Sequence, residues 1–189
     1  MDNIFLYLLG FAGTGKLTIA RAFARSVGAK VVDNHWINNP IFGLIDPDGV
    51  SPLPDAVWSQ TARVREAVLE TIATLAKPGT NFVFTHDGIE GERYDEDVLQ
   101  GIQSTAARRG ARLIPVRLVC NEDELARRIQ SADRAAMLKC TDPADAIHKS
   151  RQHAVLDPRL PGTLTLDVTR LTPEQSVEAI IAHIKGLGR

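Results

Sequence analysis

The chain opens on an apolar run, Ile4-Phe5-Leu6-Tyr7-Leu8-Leu9, that ends at Gly10. An uninterrupted run of this length suits a strand buried on both faces of a parallel sheet. A helix is expected from about Lys16 to Val27, with Ile19, Phe23 and Val27 on one side and Gly28 as its stop. Lys30 to Asp33 reads as a short second strand. From Asn34 to Leu53 the pattern is irregular and rich in Asn, Pro, Asp and Gly, with a short helix expected near Trp36 to Leu44. The longest helical pattern runs from Asp55 to Ala76, where Val57, Val64, Val68, Ile72 and Leu75 recur at helical spacing before Lys77-Pro78-Gly79 ends it.

Asn81 to Thr85 reads as the third strand, followed by a helix from about Asp95 to Arg109 that Gly110 closes. Arg112 to Cys120 reads as the fourth strand. Pro115 inside it cannot donate to a ladder, so a bulge is expected there. Asn121 caps a helix that carries Leu125, Arg127, Arg128 and Ile129, with Glu124 at its third position. Ser131 to Pro143 is polar and irregular, and a short helix follows to about His153. Thr163 to Val168 reads as the fifth strand. Thr172-Pro173-Glu174-Gln175 is a helix start with a first-turn proline, and Val177, Ile180, Ile181 and Ile184 form that helix's inner face. Strands and helices alternate throughout, which predicts one α/β domain of three layers with right-handed crossovers.

The chemistry enters at the first loop. Gly10-Phe11-Ala12-Gly13-Thr14-Gly15-Lys16 has the spacing Gly-x-x-x-x-Gly-Lys between a strand and a helix. Glycines let the backbone curl so that its N–H groups point inward and make a concave anion site. The helix that follows adds its positive N-terminal end, and Lys16 can reach the β- and γ-phosphates of ATP. The bland alternative is a glycine-rich turn that only links strand to helix. The usual Ser or Thr after the lysine is Leu17 here, with Thr18 one place later. Leucine cannot ligate Mg2+. Either Thr18 supplies the hydroxyl, or the metal is held through water and other residues.

The Gly-Lys-x-Thr ending resembles that of adenylate kinases. The layout resembles the wider group of small P-loop kinases: shikimate and gluconate kinases, chloramphenicol phosphotransferase and the zeta-toxin type. The resemblance covers nearly the whole chain, though only the phosphate loop is specific. It implies a five-stranded parallel sheet of order 2-3-1-4-5 in a three-layer α/β/α fold. It also implies an acceptor-side flap at about 34–53 and a lid at about 131–143. The cofactor set it implies is ATP with Mg2+, with Gly10, Ala12, Gly13, Thr14, Gly15, Lys16, Leu17 and Thr18 around the phosphates.

Asp33 ends the second strand, where ligands of open α/β sheets bind. It either orients an acceptor hydroxyl and takes its proton, or caps the Asn34-His35 turn. His35 is a further candidate of the same kind. Asp87, in Thr85-His86-Asp87-Gly88, either holds Mg2+ through water or opens an Asp-Gly turn, and His86 can face the acceptor. Trp58 and Arg63 can line the acceptor pocket, or Trp58 can pack in the core. Arg127, Arg128, Arg134, Lys139, Lys149 and Arg151 form a basic segment. By the resemblance, Arg134 would fold over the phosphates as a catalytic cation and Arg128 would stack on adenine. Arg128 can instead pair with Glu124, and the whole cluster can be solvated surface. The turn Asp167 to Arg170 would cradle the adenine by its backbone.

Composition narrows this little. Hydrophobic residues are 44%, charged residues 24% and the net charge is −1, which gives no electrostatic case for nucleic acid or a membrane surface. Cys120 and Cys140 match no metal spacing, and the start Met1-Asp2-Asn3 lacks the basic residues of a signal peptide. A cytoplasmic monomer or homodimer is expected. The leading reading is ATP-dependent phosphoryl transfer to a hydroxyl of a small molecule. One alternative is a nucleoside or nucleotide kinase, against which stands the absence of any Arg or Lys from Asn34 to Leu53. Another is a non-kinase nucleotide-binding ATPase or regulator. The chain is short for that class, carries no acidic pair at a strand end and has no Asn-Lys-x-Asp guanine motif.

Overall fold

The architecture comes from a computed structural model, which describes residues 1–47, 53–130 and 142–188. The described residues run β1 (Ile4–Leu9), α1 (Lys16–Val27), β2 (Lys30–Val32), α2 (Asn34–Ile45), α3 (Asp55–Thr74), β3 (Phe82–His86), α4 (Arg93–Arg108), β4 (Arg112–Val119), α5 (Glu122–Ile129), α6 (Pro143–Gln152), β5 (Leu164–Asp167) and α7 (Pro173–Gly186). The strands form one parallel sheet of order β2-β3-β1-β4-β5. This is the expected order.

The apolar run of β1 is central and wholly buried, and its alternation splits the core in two. Phe5, Tyr7 and Leu9 face a layer with Leu69 and Ile72 of α3 and Val98, Leu99 and Ile102 of α4. Ile4, Leu6 and Leu8 face Ile19 and Phe23 of α1 and Val177, Ile180 and Ile184 of α7. Successive strand residues point to opposite faces, so one continuous apolar strand feeds both layers. Each such side chain contributes roughly 1.5–3 kcal/mol by leaving water.

Asn81 ties the start of the chain to this core. Its side chain accepts from Ile4 N at 2.9 Å and donates to Met1 O at 2.8 Å and Val27 O at 3.2 Å.

Two local expectations are revised, and the short helix expected near Trp36 to Leu44 is present with wider bounds. Pro115 sits in a continuous β4 without a bulge, opposite Tyr7 of β1. Arg112 N donates to Asn3 O on the β1 side, and Val119 O accepts from Val168 N on the other. By alternation the Pro115 nitrogen faces the β5 side, and there the pairing begins only at Val116 with Leu164. The missing donor therefore has no strand opposite it.

The flap begins as one twelve-residue helix, α2, that contains Pro40. The proline removes the donor for the Trp36 carbonyl but does not end the helix, which stops at Asp46 in the left-handed region. On α3 the buried face is Val57, Thr61, Arg65, Leu69 and Ile72. Val64 and Val68 are only partly buried, and Leu75, past the helix end, is 79% exposed. Polar Thr61 and Arg65 face inward because they belong to a polar cluster beneath the cleft described next.

Candidate active site

The C-terminal ends of β1, β2 and β3 open into one cleft of about 1000 Å3. The phosphate loop occupies one wall. Its curl is fixed by Gly10 N donating to His86 O at 3.3 Å, by Thr14 N donating to Phe11 O at 3.3 Å, and by the Thr14 hydroxyl donating to the same oxygen at 2.8 Å. Gly13 has φ +89°, and a Cβ there would meet Leu125 Cδ2 at 3.0 Å and Leu125 O at 3.2 Å. Only glycine allows both that backbone turn and that approach. Lys16 Nζ donates to Gly10 O and to Phe11 O, the latter at 3.0 Å, and lies 3.5 Å from Asp87 Oδ1. A glycine cradle with an ammonium folded across it is a fitting receptacle for a triphosphate. Ala12, Leu17 and the exposed Thr18 line the same cleft beside it.

Asp33 and Thr85 meet at the ends of adjacent strands. The Thr85 hydroxyl donates to Asp33 Oδ1 and accepts from Asn34 N at 3.2 Å, so the carboxylate is held at the start of α2. Asp33 lines the cleft yet is only 5% exposed, and it makes no side-chain capping bond to α2. The capping alternative read from the sequence is therefore not used.

Asp87 lies between two cations. Lys149 Nζ, on α6, donates to Oδ2 at 2.9 Å, while Lys16 approaches the other oxygen. Burial pushes the carboxyl up, but the two ammonium groups together outweigh it and hold Asp87 below the ordinary carboxylate range. Lys149 shows the reciprocal effect: burial lowers it, and Asp87 more than restores it. Lys149 also stands over the Phe11 ring at 5.8 Å.

The floor is a buried polar cluster. His86 Nε2 donates to Asp95 Oδ1 at 2.7 Å, and Asp95 Oδ2 accepts from Ile89 N at 2.7 Å. Tyr94 OH accepts from Arg65 Nη2, whose guanidinium lies 4.9 Å from the Tyr94 ring. Burial, and then the Asp95 carboxylate, pushes the Tyr7 phenol well above its ordinary range. His86 Nδ1, Tyr7 OH, Arg65 Nε and Asn38 Oδ1 are all buried with no hydrogen-bond partner. Above them Trp58 meets Tyr94 at 5.4 Å and Phe42 at 6.0 Å, both edge-on.

A second hollow of about 440 Å3 lies between the phosphate loop, α5 and the turn after β5, lined by Thr14, Arg128 and residues 168–173. Arg128 is held there. Its Nε donates to Glu124 at 2.6 Å, Nη2 to Val168 O at 2.9 Å and Nη1 to Thr14 O at 3.5 Å. The Glu124 pairing left open by the sequence is thus present, and the guanidinium also bridges the phosphate loop to the β5 turn.

The structure brings Lys16, Asp33, Asp87, Thr18, Arg128 and the loop glycines to one end of the sheet. His35 also lines the cleft, with Nδ1 at 3.3 Å from Asn39 Oδ1. Arg63 does not: it is exposed and bonded to Gln60. Trp36 is 68% exposed, away from the cleft lining. Arg134, Lys139 and Cys140 lie outside the described residues. The sequence marks Lys149 only as part of the basic segment and does not mark Tyr94 or Asp95. Tyr94 and Asp95 open the helix after β3, and that position at a strand's carboxyl end was the available signal. No helix among the described residues is long and apolar enough to cross a membrane, and none of their His, Cys, Asp and Glu side chains form a group of three suited to a metal.

No protein-family model matches the chain, and a comparison with curated proteins finds no match. Solved structures do. A gluconokinase from Sinorhizobium meliloti 1021 is 20% identical, with 98% of this chain and 94% of that one covered at a TM-score of 0.67. An APS kinase from Mycobacterium tuberculosis, solved with AMPPNP and APS, is 17% identical over 97% and 98% at 0.57. A shikimate kinase from Acinetobacter baumannii, solved with shikimate, is 17% identical over 97% and 94% at 0.54. At these identities the likeness is one of fold: this chain has the three-layer α/β/α fold of the small P-loop kinases.

Proposed function

We propose that the chain is a single-domain, ATP-dependent phosphotransferase that moves the γ-phosphoryl group to a hydroxyl of a small molecule. The observation that carries this is the pairing of two walls in one cleft. A glycine cradle with Lys16 and a buried carboxylate, Asp33, line the same cleft of about 1000 Å3.

Loop amides and Lys16 would hold the β- and γ-phosphates, and Gly15, Thr18 and Arg128 would flank the nucleotide. Mg2+ would neutralise the phosphate charge, met by the Thr18 hydroxyl and, through water, by Asp87 once its lysines turn to the phosphates. Asp33 would orient the acceptor hydroxyl and take its proton. The bond from that oxygen to phosphorus forms as the bond to the β-bridging oxygen breaks, and ADP leaves. Arg134 is the proposed lid cation that balances the charge in flight. Catalysis is then positioning plus electrostatics.

A nucleoside monophosphate acceptor fits poorly, because α2 and the rest of the flap offer no cation for its phosphate. A partner-driven ATPase would leave the acceptor half of the cleft without a use. Lys16→Ala is expected to abolish ATP turnover. Asp33→Asn is expected to lower kcat by roughly 10²–10⁴-fold while ATP affinity stays near wild type. Both are read by ADP release and calorimetry. Unchanged turnover in Asp33→Asn removes that residue from the mechanism, and acceptor-independent hydrolysis stimulated by a partner replaces the kinase reading.

A further inference from the structure

The cleft is divided by charge. Every Lys and Arg that lines it among the described residues, Lys16, Arg21, Arg127, Arg128 and Lys149, comes from α1, α5 or α6 on the nucleotide side. The other half is lined by carboxylates and aromatic rings. Asp33 and Asp95 lie deep. Asp55, at the start of α3, and Glu92, just before α4, stand at the mouth, and neither has an ion-pair partner among the described residues. The guanidinium of Arg65 does not break this division. It is buried behind Tyr94, spends one N–H on that phenol and does not line the cleft.

Among the uncharged polar residues on this side (Asn34, His35, Asn38, Thr85 and His86), Asn38 presents an unpaired acceptor. Asn38 lines the cleft, is 5% exposed, and its Oδ1 has no hydrogen-bond partner. A buried carbonyl left unpaired is costly, so it calls for a donor. The carboxylates at the mouth, Asp55 and Glu92, attract a cationic donor, and together with Asp33 and Asp95 they repel an anion. The rings of Trp58 and Tyr94, 5.4 Å apart, add an electron-rich wall that attracts a cation and packs against the carbon face of a sugar ring or cyclitol.

Resting on the kinase reading, we propose that the acceptor is an aminated polyol: a ring bearing hydroxyls and at least one ammonium group, and no carboxylate or phosphate. The ammonium sits between Glu92, Asp55 and the Trp58 face. A ring hydroxyl donates to Asn38, and the reacting hydroxyl meets Asp33. Anionic acceptors are excluded by the same carboxylates.

The test is a matched series of one carbon skeleton: glucosamine, glucose and gluconate, titrated by calorimetry into the protein with Mg2+ and a non-hydrolysable ATP analogue. Glucosamine is expected to bind about tenfold tighter than glucose, with gluconate weakest, and its advantage should shrink as salt rises. Glu92→Gln and Trp58→Leu are each expected to reduce the glucosamine advantage several-fold, with the affinity for the analogue as the control for folding. Gluconate binding as tightly as glucosamine overturns the proposal. So does the absence of any preference or any binding across the series. Analogue binding without that preference leaves the kinase reading standing. If the analogue itself fails to bind, the kinase reading falls, and the same titrations without nucleotide still decide the polarity of the acceptor half.

Discussion

Lys149 Nζ lies 2.9 Å from Asp87 Oδ2, which joins α6 to the end of β3 across 62 residues of chain. Lys16 approaches the other oxygen of the same carboxylate. One carboxylate thus holds both ammonium groups that line the cleft among the described residues.

That pair is about a third exposed on each side, so its contribution is modest. A double-mutant cycle with Asp87→Asn and Lys149→Met is expected to give a coupling of about 1 kcal/mol or less in denaturant unfolding. In the same variants the catalytic loss should exceed the stability loss. Equal wild-type turnover in Lys149→Met would show that this lysine has no role in the chemistry.

Glu124 supplies the pH dependence with a definite sign. Hydrogen bonds from Arg127, then Arg128, lower its carboxyl from 4.5 to about 2. A depressed acid stabilises the fold above its unfolded value and loses that contribution as pH falls through its folded one. The Tm difference between wild type and Glu124→Gln is therefore expected to be constant above about pH 5 and to shrink steadily between pH 4.5 and 2. A difference that stays flat down to pH 2 would show that Glu124 is not paired in solution.

Two glycines separate backbone strain from crowding. Gly28 has φ +68° with nothing within 4 Å of where a methyl group would stand, whereas Gly13 has φ +89° and Leu125 at 3.0 Å. Gly28→Ala is expected to cost about 1–2 kcal/mol, the strain of a left-handed residue. Gly13→Ala adds a displaced Leu125 and should also lose ATP-analogue binding. Chemical denaturation and calorimetry on both variants check the contrast.

Asn81→Ala removes three bonds at once and leaves Ile4 N buried and unpaired. The expected loss is about 2–3 kcal/mol. For a chain of this size that is a Tm drop of roughly 5–10 °C. A drop of only a degree would mean that water replaces the amide.

Much of the frame was legible because it follows from local pattern. The run Ile4 to Leu9 announced a doubly buried strand, and Gly10 to Lys16 announced the loop at its end. Asp33 could be placed because it closes the second strand. The rest depended on long-range packing. Nothing near Lys149 in the sequence signals Asp87, since only the way α6 docks brings them together. Arg65 and Thr61 look like a solvated face of α3 until Tyr94, from another helix, supplies a partner and covers them. Pro115 suggested a bulge because proline cannot donate to a ladder, and only the register of β5, which starts opposite Val116, shows that no donor is needed there.

The Asp95 carboxylate is shared between His86 in the floor and the amide of Ile89 ahead of α4. A guest that tugs the imidazole is expected to loosen or tighten that amide as well. Altered deuterium uptake at Ile89 is then the expected sign of an occupied cleft, read without any label in the pocket itself.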